Sequence, residues 1–197
     1  MQKEMSMNPQ KIIDFYYPEE TPLKKLLLLH SRQVRDKALQ ILANPVAQAL
    51  GLDADLVANG ALLHDIGIGR CHAPGILCNG TQPYLAHGIL GAQMLREYAS
   101  QHGLDLEPYA RICERHTGTG ITAQEIRQQH LPLPEQDFLP ETYEEKLICL
   151  ADKFFSKSGN LQEKPLSRIR GAMLPFGEDT VQRFDQFCAL FGVKERD

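Results

Sequence analysis

The 197-residue sequence predicts an all-α fold, a helical bundle spanning about residues 21–160 followed by a C-terminal helical extension over 161–197. Three observations carry that expectation. Apolar residues recur at three-to-four spacing in one segment after another, helix start signals stand ahead of these segments, and neither strand alternation nor an internal repeat occurs along the chain. With 43% hydrophobic and 23% charged residues, the chain can bury the core of one domain.

The elements follow in order. Pro9 to Asp14 predicts a short helix ending near Tyr17-Pro18, because the residue before a proline is pushed out of the helical region. Thr21 as N-cap and Pro22 at the first helical position open a long helix whose stripe of Leu23, Leu26, Leu27, Val34, Ala38, Ile41 and Leu42 runs to Asn44-Pro45. Asp53 caps a second long helix carrying Leu56, Val57 and Ala61 toward Gly67. From Gly67 to Pro83 the turn signals Ala73-Pro74-Gly75 and Asn79-Gly80 predict a loop. A helix over about Tyr84 to His102 follows, then one from Glu107 to His116 that ends at Thr117-Gly118-Thr119-Gly120. Thr122 and Glu125 form a capping box for a short helix to about His130, and the Pro-rich stretch Leu131 to Pro140 is a loop. A helix begins near Glu141, and two amphipathic segments, Leu166 to Leu174 and Asp179 to Phe191, close the chain.

Composition excludes several function classes. Lys plus Arg number 21 against 25 Asp plus Glu, a net charge of −4 with pI about 6.0, so no global positive field recruits nucleic acid or anionic lipid without specificity. The longest pure leucine run, Leu26 to Leu29, is far short of the roughly 20 apolar residues of a membrane helix. Met1 to Met5 lacks the apolar stretch of a signal peptide, and the expected location is the cytoplasm. The cysteines Cys71, Cys78, Cys113, Cys149 and Cys188 are odd in number and scattered, which argues against a disulfide framework. Cys71-His72 with Cys78 supplies three zinc ligands at most, at a spacing that fits no usual knuckle; buried or loop cysteines are the plainer reading.

Six polar residues fall on the apolar faces of these helices. His30 lies three after Leu27 and four before Val34. His64 and Asp65 follow Ala61 by three and four, and His87 is in register with Gly91, Met94 and Tyr98. His116 shares a side with Tyr109, Ile112 and Cys113, and Asp152 sits between Ile148 and Phe155. A lone inward histidine is ordinarily a satisfied core residue. Four of them with two carboxylates, drawn from five helices, make the ligand set that holds Zn, Fe or Mn inside helical bundles.

The order His30, His64-Asp65, Asp152, with Gly67 completing His-Asp-Ile-Gly, resembles the HD-domain metal-dependent phosphohydrolase superfamily over about residues 21–160. The first His stands 34 positions before the pair (64 − 30) and the last Asp 87 after it (152 − 65). The resemblance assigns His30, His64, Asp65 and Asp152 as ligands of a first metal, with Asp65 and His64 as the catalytic pair. Members with two further histidines hold a dinuclear centre, so by resemblance Asp65 bridges two ions while His87 and His116 complete the second site. The implied cofactor is a divalent transition metal, two ions of Fe, Mn, Zn, Ni or Co. The chain is most similar to small bacterial and archaeal HDIG proteins carrying Glu114-Arg115-His116, Gly120-Ile121-Thr122 and Glu144-Glu145-Lys146, and to the diadenosine tetraphosphate hydrolase branch. The cyclic di-GMP phosphodiesterase branch has a lysine after His-Asp-Ile-Gly and a Gly-Tyr-Pro string. Here Ile68-Gly69-Arg70 stands instead and no Gly-Tyr-Pro occurs, which disfavours cyclic di-GMP.

The resemblance implies hydrolysis of a nucleotide or other small phosphate ester or anhydride by metal-activated water. Arg70, Arg115 and Lys153 are the candidate phosphate contacts. Each is sequence-adjacent to a ligand or follows the pair, yet neighbours on a helix diverge by about 100°, so a solvated surface position is the alternative for each. Two other classes share the ligand set, an HD-type di-iron oxygenase and a non-catalytic nucleotide-binding regulatory module. The expected partner is a small phosphorylated substrate, with neither membrane nor nonspecific nucleic acid, and a homo-oligomer is compatible with the sequence.

Overall fold

The computed structural model describes residues 7–195. Met1 to Met5, on which the reading of a missing signal peptide rests, lies outside the described residues. These contain ten α-helices and one small sheet. Helix α1 (Pro9–Tyr16) is capped by the Asn8 side chain, and α2 (Pro22–Leu42) by Thr21, with Pro22 at its first turn. Asn44-Pro45, expected only to end α2, also starts the one-turn α3 (Pro45–Gln48), with Asn44 accepting from the Val46 amide. Asp53 caps α4 (Ala54–Leu63) through the amides of Asp55 and Leu56. Helix α5 (His87–His102) ends at Gly103, whose φ of 65° is the left-handed turn that glycine supplies most cheaply. Then come α6 (Glu107–Arg115), α7 (Ala123–Gln128), α8 (Tyr143–Asp152), α9 (Leu166–Met173) and α10 (Glu178–Leu190). Both α7 and α8 start on complete capping boxes, Thr122 with Glu125 and Thr142 with Glu145.

The all-α expectation needs one correction. Residues 67–83, expected as a loop, carry a three-stranded sheet in the order β2-β1-β3, with β1 (Cys71–Ala73) antiparallel to β2 (Cys78–Asn79) and parallel to β3 (Gln82–Pro83). Strands of two or three residues are too short to show a period of two, so the turn-rich composition hid them. Their pairing sets Cys71 inward and His72 outward, and His72 is exposed while Cys71 and Cys78 are buried. The two cysteines and His72 therefore do not converge on one ion.

Two apolar clusters flank α4. One joins Val34, Ala38 and Ile41 of α2 with Val57, Ala61, Ile112, Leu147 and Ile148, and extends to Phe184 and Phe191 at the C-terminal end. The other joins Ile12 and Ile13 of α1 with Leu63, Ile66, Leu95, Tyr98 and Leu106. Phe184 and Phe191 are essentially fully buried, and each such side chain stabilises by about 1.5–3 kcal/mol, so α10 is held firmly against α8.

The glycine of His-Asp-Ile-Gly has a packing reason. A Cβ at Gly67 would lie 2.2 Å from the His87 carbonyl oxygen and 2.4 Å from the Gly91 amide nitrogen. Only a bare backbone lets the start of α5 approach the end of α4 this closely, and that approach sets His87 beside Asp65.

Candidate metal centre

All six inward polar residues meet at one place. His30, His64, Asp65 and Asp152 present ligand atoms within 4.8 Å of one another, and so do Asp65, His87 and His116. His30, His64, Asp65, His87 and His116 are at most 4% exposed and Asp152 8%. The Asp65 carboxylate divides its oxygens between the two groups. Its Oδ2 lies 3.3 Å from His30 Nε2 and 3.2 Å from His64 Nε2. Its Oδ1 lies 3.4 Å from His87 Nε2 and 3.5 Å from His116 Nε2. Asp152 Oδ1 completes the first group, 2.9 Å from His30 Nε2 and 3.5 Å from His64 Nε2.

The backbone fixes which imidazole nitrogen faces inward. Nδ1 of His64, His87 and His116 each lies 2.7 Å from a carbonyl oxygen three residues earlier, of Ala61, Tyr84 and Cys113 respectively. A carbonyl only accepts, so each Nδ1 carries the proton and each Nε2 turns a lone pair into the cluster. This outer ring of bonds orients histidines for a metal. His87 also stacks on Tyr84 with ring centroids 4.7 Å apart.

The polar atoms left over fit a cation. His64 Nε2 and Asp65 Oδ1 are buried without a hydrogen-bond partner, and unpaired buried carboxylate oxygens are costly unless a positive charge faces them. Nitrogen and carboxylate oxygen donors in this mixture suit Zn, Fe, Mn, Co or Ni.

Two lysines add charge at the edge. Lys157 Nζ stands 2.7 Å from Asp65 Oδ2, and Lys153 Nζ 2.7 Å from Asp152 Oδ2 and 3.2 Å from the His116 carbonyl oxygen. Burial would raise the Asp65 carboxyl, but the Lys157 ammonium and His64 outweigh it and hold it well below the usual range. Asp152 is likewise held low against burial by Lys153 and Lys157. Burial opposes a charge on His64 while Asp65 and Asp152 favour one, and a cation against its Nε2 lone pair would answer those two carboxylates in place of a second proton. For His87 burial prevails and pushes it down to about 3.

Of the three expected phosphate contacts, only Lys153 lines the cavity that opens beside the cluster. Arg70 is exposed and borders a separate groove with Tyr16, Tyr17 and Glu19. Arg115 is engaged with Glu141 at 2.8 Å and the Leu139 carbonyl at 2.7 Å, where it fastens the loop ahead of α8. Lys157 escaped the sequence reading. It lies five residues beyond Asp152 in an irregular segment, where no helical period orients a side chain.

A predominantly helical protein with a buried His/Asp metal-binding cluster is the class that fold and site define. The HD domain family model matches residues 28–156, and the chain belongs to the HD domain family. Two relatives named tRNA (cytidine(56)-2'-O)-methyltransferase, from Picrophilus torridus and Thermoplasma volcanium, are 34% and 35% identical to it. The matches cover 81% and 82% of this chain but 42% and 43% of theirs. An uncharacterised protein of Methanocaldococcus jannaschii is 44% identical over 101 residues, 51% of this chain and 49% of its own. The chain thus spans under half the length of these curated relatives. Among solved structures, the HD domain of the L. monocytogenes phosphodiesterase PgpH in complex with cyclic-di-AMP is 17% identical with a TM-score of 0.48, over 96% of this chain and 98% of that one. No helix among the described residues is long and apolar enough to cross a membrane.

Proposed function

We propose that the chain is a metal-dependent phosphohydrolase acting on a small phosphate ester or anhydride, a nucleotide in the first instance, in which Asp65 would be shared between the ligand sets of two divalent ions. The observation that carries this reading is the division of the Asp65 oxygens, Oδ2 toward His30 and His64 and Oδ1 toward His87 and His116. His30, His64, Asp65 and Asp152 would hold one such ion and Asp65, His87 and His116 a second, which would supply a water acidified toward neutral pH and neutralise charge on phosphoryl oxygens.

The chain's own residues supply the rest. The Ala61 carbonyl keeps His64 Nδ1 protonated and its Nε2 turned inward, and His30 and Asp152 close the first group. Lys153 and Lys157 bring two ammonium groups to the edge of the cluster, where they favour an anionic substrate and offset charge that develops in the transition state. That cationic edge favours hydrolysis of a phosphate over the oxygenase reading, which the ligands alone leave equal. The complete ligand set weighs against a non-catalytic module. Methyl transfer is named for relatives about twice as long, of which this chain matches under half.

The test is metal analysis of protein purified without added metal, with a phosphatase screen over nucleotides and other phosphomonoesters. Turnover abolished by chelation and restored by a divalent ion is the expected result. Iron with a reduced-state spectroscopic signature and oxygen consumption, but no phosphate release, would replace the proposal with the oxygenase.

A further inference from the structure

The two ligand groups are built unequally. In the second group, a carbonyl oxygen holds Nδ1 of both His87 and His116, and each Nε2 is turned to Asp65 Oδ1. The first group has that lock on His64 alone. His30 Nδ1 is buried without a hydrogen-bond partner among the described residues, so no carbonyl selects its inward nitrogen. The two lysines also bear on the first group, in different ways. Lys153 meets Asp152 through Oδ2 and leaves Oδ1 to His30 and His64. Lys157 instead stands 2.7 Å from Asp65 Oδ2, the same oxygen that His30 and His64 approach.

Lys157 is placed where it can give way. None of residues 156–164 is buried, and polar contacts hold the segment, with Gln33 donating to the Leu161 carbonyl at 2.8 Å and Lys37 pairing with Glu163 at 2.5 Å. A segment with so little buried surface moves without opening the core.

We infer that Lys157 competes with a divalent ion for Asp65 Oδ2, so that the second group binds its ion more tightly than the first although it offers one ligand fewer. The inference rests on the two-ion reading proposed above and deepens it by naming the residue that ranks the two groups. Four donors with two carboxylates ordinarily hold a cation better than three donors with one. Here the ammonium on the shared oxygen repels that cation, and the unkeyed His30 adds the cost of orienting a ligand.

The experiment is calorimetric titration of zinc into the metal-free full chain. Two double variants isolate the groups and remove repulsion between ions: His87→Gln with His116→Gln leaves the first group, and His30→Gln with His64→Gln leaves the second. The second group alone should bind zinc about tenfold more tightly than the first alone, the size of effect that outer contacts have on metal affinity. Adding Lys157→Met should tighten the first group about tenfold and leave the second within about twofold, whereas Lys157→Arg, which keeps the charge, should tighten neither. In the otherwise wild-type chain, Lys157→Met but not Lys157→Arg should tighten the weaker of two ions, which carries the test if a double variant does not melt cooperatively. Equal or reversed affinities of the two groups, no response to Lys157→Met, or the same tightening by Lys157→Arg overturns the inference. The two readings fail separately. Zinc affinity that depends on Lys157 in a chain that cleaves no phosphate ester keeps the inference and sinks the hydrolase. Phosphate release by a chain whose zinc affinity ignores Lys157 does the reverse.

Discussion

The Nε2 atoms of His87 and His116 face each other at 3.0 Å. Neither can donate to the other, since the one proton of each neutral ring is held at Nδ1 by a carbonyl, and burial disfavours a second proton on either ring. Two lone pairs at that distance repel unless a cation lies against both, and Asp65 Oδ1 is on hand at 3.4 and 3.5 Å to share it. Removing metal should therefore destabilise the fold as well as stop turnover. Calorimetry of a verified metal-free sample should show a lower melting temperature, with a loss of about 2.7 kcal/mol where the ion had been at 100 times its dissociation constant. Identical melting of the metal-free and loaded protein would mean that the ligands hold nothing.

Asp65 is the one side chain common to both groups. Asp65→Ala should lose metal from both and abolish phosphate release. His102→Ala and His130→Ala are the controls. His102 stacks on Tyr98 at 3.9 Å and His130 is exposed at a positive φ, so the first variant gives up roughly 1 kcal/mol of aromatic contact and both keep their metal. Equal metal loss in all three would refute the assignment.

Lys157 contacts Asp65 without being a metal ligand type in its charged state, and burial is outweighed by Asp65 and Asp152 in keeping it charged. Lys157→Met should keep the metal and lower kcat/KM by about a hundredfold, the size of effect seen when one stabilising donor is removed. Full turnover in a metal-loaded Lys157→Met protein would relieve the lysine of any role.

The contrast between Lys157 and the six cluster residues marks how far the sequence could be read. His30, His64, Asp65, His87, His116 and Asp152 sit on or at the end of regular helices, where a spacing of three or four from Leu27, Ala61 or Ile148 fixes direction. Lys157 and Lys164 lie where the chain is irregular, and only the tertiary fold brings them to the cluster and the cavity. The sheet over 71–83 was illegible for the same reason of scale. Glu145 is buried although it is charged, because it both closes the Thr142 capping box and binds Arg111 at 2.7 Å.

The Glu125–Arg183 pair gives the extension a pH signature. Burial raises the Glu125 carboxyl, but Arg183 and the Thr122 amide outweigh it and lower the pKa from 4.5. A carboxyl whose folded pKa is depressed contributes stability above its unfolded value and loses it as the pH falls through the folded one. Wild type should thus lose about 1 kcal/mol more than Glu125→Gln between pH 6 and acid pH, read by denaturant unfolding. Parallel pH profiles for the two proteins would show that the pair does not fasten α10.

The most direct test of the account is the number of ions per chain in wild type and in the His87→Gln, His116→Gln double variant, each loaded with the metal that supports turnover. The account predicts close to two ions in wild type and close to one in the variant, which folds and melts cooperatively but releases little or no phosphate. One ion in wild type, with full activity in the double variant, would contradict it.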